Sequence, residues 1–116
     1  MAILFQTANS EALLKKFKKA IDDKHVVTWT YDKDGDFTHA TDQWKNLAWL
    51  RPKHSDSGLT MIILCPQNQA ISTETYAIYH GRFIESMLAH CDTVFVNASA
   101  TAVPSHGDIV QPKKSE

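Results

Sequence analysis

The stretch that decides the fold is DKDGDFTHATDQ, residues 32–43. Asp32, Asp34 and Asp36 alternate as the first three oxygen ligands of an EF-hand calcium loop would. Such a loop also needs glycine at its sixth position and a bidentate carboxylate at its twelfth, where this chain has Phe37 and Gln43. Its flanks must be helical, yet the preceding VVTWTY, residues 26–31, is β-branched, aromatic and alternating, which reads as a strand. FTHAT, residues 37–41, reads as the partner strand. Lys33-Asp34-Gly35 then makes a three-residue hairpin loop, with Gly35 in the left-handed conformation. That register sets Tyr31 opposite Phe37 and Trp29 opposite His39, so four large rings share one sheet face.

Upstream, Leu13, Leu14, Phe17, Ala20 and Ile21 line one side of a helix from Ser10 to Asp23, with four lysines on the other side. Asn9 or Ser10 caps it, and fraying is expected after Ile21 because Asp22 and Asp23 oppose the helix dipole. Downstream, LAWLRPK and LTMIILC read as a second hairpin with Ser57-Gly58 in its bend. Pro52 argues that the first of these strands stops there or lies at an edge. Ser72 caps a helix over residues 73–90, with Ile71 stapled against Tyr76, and TVFVNA, residues 93–98, reads as a fifth strand. The expected fold is two-layer α+β: a five-stranded, mostly antiparallel sheet with two helices on one face, in the order α-β-β-β-β-α-β. One domain is expected over residues 1–98, followed by a segment of small and polar residues, 99–116, whose QPKKSE end is expected to be mobile.

A net charge of −1 supplies no field that would attract nucleic acid or an anionic membrane surface. No apolar run approaches the roughly 20 residues that span a bilayer, and MAILFQTANS has no signal-peptide pattern, so a cytoplasmic protein is expected. Cys65 and Cys91 are too few for a disulfide framework. The six histidines form no His-x3-His pair and there is no Cys-x2-Cys, so neither a metal nor any cofactor is expected.

The candidate site is YHGRF, residues 79–83, with Tyr76 one turn earlier. His80 falls in the middle of an apolar stripe, where burial needs a hydrogen-bond partner and lowers the imidazole pKa. Gly81 costs a helix interior about 1 kcal/mol relative to alanine, so close approach of a strand, a ligand or a second subunit is expected there. Arg82 adjoins it, and Trp29 and Trp49 are candidate interface anchors. With no catalytic constellation in view, the leading expectation is a non-enzymatic interaction domain. A second copy of the chain would cover the aromatic face of the sheet as a homodimer. The competing expectation is a small enzyme or small-molecule binder that uses His80 with Tyr76, Tyr79 or Cys65.

Overall fold

The computed structural model describes residues 2–112. Two helices and six strands follow one another as β1 (Ile3–Gln6), α1 (Ser10–Asp22), β2 (Trp29–Tyr31), β3 (Phe37–His39), β4 (Trp49–Ser55), β5 (Gly58–Leu64), α2 (Thr73–Cys91) and β6 (Asn97–Ala100). The strands form one antiparallel sheet in the order β2-β3-β4-β5-β1-β6, an α+β fold with both helices on one face.

The central hairpin has the expected register, Tyr31 opposite Phe37 and Trp29 opposite His39. Gly35 closes it at φ +83°, in the left-handed region that glycine tolerates best. Two of the three aspartates, Asp32 and Asp36, are occupied within the fold. Asp32 Oδ1 accepts the N–H groups of Asp34 and Asp36, and the Asp36 carboxylate takes both arms of the Arg51 guanidinium at 2.9 and 2.8 Å. The four rings face the helices. Trp29 and Phe37 are fully buried, His39 nearly so, and Phe17 of α1 reaches Phe37. Phe83 of α2 stands at the hub, with ring centroids 5.0–6.0 Å from Trp29, Phe17, Phe37 and Phe5. The aromatic surplus is thus spent inside the protomer, and the aromatic face expected to need a second copy is covered by the chain's own helices.

Three elements differ from the sequence reading. First, β1 adds a sixth strand. AILF is a short apolar run without alternation in sequence, although in the sheet Ile3 and Phe5 are buried while Leu4 is half-buried on the other face. Second, the last strand is Asn97–Ala100 rather than residues 93–98. The more β-prone TVFV spans the connection from α2, where Thr7 Oγ1 bonds the Val94 carbonyl at 2.6 Å and Phe95 packs edge-on against Phe5. Tertiary packing overrides local preference there. Third, β4 does not stop at Pro52 but runs on to Ser55, with Pro52 at a local edge, the other alternative of the sequence reading. Met61, opposite Pro52, turns its carbonyl to β1, where it accepts the Ala2 N–H, so the N–H that proline lacks would point away from β5. On that side β3 has already ended, its single pairing being Phe37 with Leu50, so Pro52 removes no ladder bond.

The helix ends follow capping rules. Asn9 caps α1 through Ala12 N–H, and Ser72 caps α2 through Thr75 N–H. At the far end of α1, His25 N–H bonds Ala20 O and Lys24 N–H bonds Ile21 O, with Lys24 at φ +63°. The helix ends at Asp22 in this closed turn.

The expected boundary between residues 98 and 99 falls inside β6, and the chain beyond it is tied to the sheet. β1 begins opposite Met61, so alongside the last residues of β5 its place in the sheet is empty. The C-terminal segment fills that place. Ile63 N–H bonds Asp108 Oδ1, Ile109 N–H bonds Ile63 O, Cys65 N–H bonds Ile109 O, and Ile71 N–H bonds Val110 O. Of QPKKSE, residues 113–116 lie outside the described residues.

Candidate functional site

The residues singled out in the sequence separate into two clusters and two outliers. In the first cluster, His80 stacks on Tyr76 with centroids 3.9 Å apart and donates Nδ1–H to the Tyr76 carbonyl at 2.6 Å. The Tyr76 hydroxyl bonds Thr101 through both its carbonyl and its side chain. That fixes the neutral tautomer of His80 and leaves Nε2 a buried acceptor with no partner among the described residues. Burial lowers the His80 pKa, opposed by the Tyr76 carbonyl and by the charge of Asp108. The hydrogen-bond partner that burial of His80 requires is thus a backbone carbonyl of its own helix. A cleft of about 240 Å³ opens beside Tyr76, between Ile71, Val103, Pro104 and Val110, and His80 is not among its lining residues.

The second cluster joins α2 to the hairpin. His39 stacks on Trp29 at 4.7 Å, donates Nδ1–H to the Thr28 carbonyl and accepts from Arg82 Nη1 at 3.1 Å. The Arg82 guanidinium also lies 6.0 Å over the Trp44 ring. The Tyr79 hydroxyl donates to the Trp44 carbonyl and meets Thr38 Oγ1. Burial, and then the Arg82 charge, lower the His39 pKa, while the Thr28 carbonyl opposes them. His39 and Trp44 were not singled out as site residues. The hairpin register already placed His39 against Trp29, and that pairing was the signal for it.

Trp49 and Gly81 belong to neither cluster. Trp49 is half-buried on the sheet face away from the helices, paired with Leu64. Gly81 is exposed on α2, and a methyl group there would meet nothing within 4 Å. Within the protomer, then, neither strand nor helix approaches Gly81 closely, and the expected close packing is absent. The cysteines are both free thiols. Cys91 is fully buried in α2, and burial pushes its thiol up to about 11, so it is no nucleophile.

An open groove of about 550 Å³ lies between α1, Tyr31 and His54, and none of the candidate site residues Tyr76, Tyr79, His80, Gly81, Arg82, Trp29 and Trp49 lines it. Lys18 lies 5.2 Å over the Tyr31 ring, the Tyr31 hydroxyl donates to Asp22, and Lys19 pairs with Asp23. No helix among the described residues is long and apolar enough to cross a membrane.

The sheet edges are the remaining places where backbone groups meet solvent, and they differ. β2 is three residues long and leads straight into a charged turn. The free stretch of β4 carries Arg51, Pro52 and Lys53. Short strands, proline and lysine each discourage pairing with another chain. β6, also short at four residues, carries neither proline nor lysine, and between Asp92 and Asp108 the chain holds no Asp, Glu, Lys or Arg. Thr101 donates its N–H to the Ala2 carbonyl at 2.9 Å. By strand alternation Asn97 and Ser99 also turn toward β1, so the N–H and C=O groups of Ala98 and Ala100 point out of the sheet. Asn97, Ser99 and Ala100 are exposed, as are Val96 at 76% and Val103 at 69%. No protein-family model, curated protein or solved structure matches the chain.

Proposed function

We propose that this protein is a non-enzymatic, cytoplasmic self-association domain whose working form is a homodimer. One observation carries the reading: among the described residues the β6 edge is open, free of charge and without the proline and lysine that guard the free stretch of β4. The inward use of the chemically interesting side chains supports it. Tyr76, Tyr79, His39 and Arg82 bond to groups of the same chain, and the Tyr79 bonds lie in the core. Sedimentation velocity across roughly 1–300 µM tests it, a range that brackets a dimer held by about 5–8 kcal/mol. A concentration-dependent shift to twice the monomer mass is expected, and a monomer throughout would refute the reading.

A second reading, a small-molecule binder or small enzyme around His80 with Tyr76, Tyr79 or Cys65, is favoured by the unpaired Nε2 of His80. A buried acceptor without a donor is uncommon and marks places where something else can bind. A ligand there would shift the Nε2 resonance in a nitrogen-detected histidine spectrum, and would lose its binding in His80→Ala.

A further inference from the structure

Resting on the self-association reading, we infer that two copies join through β6, antiparallel, about a two-fold axis that passes through Ser99. The segment Ala98-Ser99-Ala100 reads the same in both directions, so a two-fold axis at Ser99 sets small side chains opposite small side chains. With the axis at Ser99, Ala98 of one protomer lies opposite Ala100 of the other, and the reverse pair forms at the same time. These are the residues whose N–H and C=O groups point outward, so both pairs are hydrogen-bonded pairs, each exchanging two bonds. Any register shifted by one residue would oppose outward groups to inward ones and lose these bonds.

A two-fold axis perpendicular to the sheet keeps each face on its own side. The result is a continuous twelve-stranded sheet, two copies of the six strands, with four helices on one face. The absence of charge between Asp92 and Asp108 removes the like-charge contacts that a self-paired edge would otherwise bring together. Val96, at 76% exposure, falls opposite Ala102 of the second copy in this register and gains apolar cover. Val96 and Ala102 are otherwise left in water at the two ends of a polar strand.

Ser99 opposite Ser99 is a non-hydrogen-bonded pair, in which the Cα atoms approach to about 4.5 Å, within disulfide range. Its side chain shares the open face of the sheet with Leu4, away from the helices. Ser99→Cys, made in a Cys65→Ser background and treated with a mild oxidant at a concentration where the dimer is populated, is expected to form a covalent dimer nearly completely. A parallel variant, Ala100→Pro, removes an outward N–H and no bond within the protomer. It is expected to raise the dimer Kd at least tenfold while leaving the circular dichroism spectrum and monomer melting unchanged. If the protein dimerises but Ser99→Cys fails to cross-link and Ala100→Pro leaves Kd unchanged, the β6 assignment falls while self-association stands. If the protein stays monomeric at every concentration, both fall.

Discussion

Gly81→Ala isolates a single energetic contribution. Gly81 sits mid-helix in α2, and a Cβ at that point meets no atom within 4 Å. The substitution therefore adds no clash and gains no contact within the protomer. What remains is the backbone entropy that glycine loses in a helix, about 1 kcal/mol relative to alanine. The entropy of unfolding is about 2.1 cal/mol/K per residue, or about 0.24 kcal/mol/K for 116 residues. One kilocalorie per mole then raises Tm by about 4 °C. Calorimetry at low micromolar concentration, where assembly contributes least, is the assay. A Tm that stays put or falls would mean that some group packs on Gly81 in solution, and the description of that helix face as open would be wrong.

Other substitutions follow the same logic. Lys24 ends α1 in the left-handed region, where a side chain is strained, so Lys24→Gly is expected to stabilise by about 1 kcal/mol in urea unfolding. His80 and His39 are held neutral by burial, with pKa values below that of the unfolded chain. Their contribution is complete above about pH 6.5 and is lost as pH falls below it, by at most about 1.4 kcal/mol per pH unit for each histidine. Urea midpoints at pH 7.5, 6.0 and 5.0 check this, and His80→Phe is expected to flatten the slope. A thiol reagent is expected to label half-buried Cys65 in the native protein and Cys91 only after unfolding. Asp108→Ala strips the acceptor from Ile63 N–H and Ser105 N–H and is expected to cost about 1–3 kcal/mol, read from the urea midpoint.

The hairpin was legible because turn chemistry and ring pairing are local. Asp32, Gly35 and the 29–39 register depend on residues a few positions apart. The same holds for the helix caps at Asn9 and Ser72. β1 was not legible, since four apolar residues carry no period and their partners lie far along the chain. β6 was displaced in the reading because Val94, Phe95 and Val96 have the composition of a strand, while the ladder forms on the weaker Asn-Ala-Ser-Ala. The site suffered from a similar limit. Helical spacing put Tyr76, Tyr79 and His80 on one stripe, but the bonds of Tyr76 to Thr101 and of Tyr79 to the Trp44 carbonyl depend on which loops come to meet them, whereas that of His80 stays within the helix. Nor does spacing along one helix reveal that the neighbourhood of Gly81 is empty.

The position of β1 sets a timetable for folding. Gln6 pairs with Gly58 on one side, while on the other its side chain bonds that of Asn97, 91 residues later. During synthesis β1 must wait, with one flank unpaired, until β6 has left the ribosome. Closing so long a loop delays the reward for native pairing, so folding slower than that of a helical bundle of equal size is expected. In that interval the uncovered side of AILF is the surface most in need of a chaperone's protection.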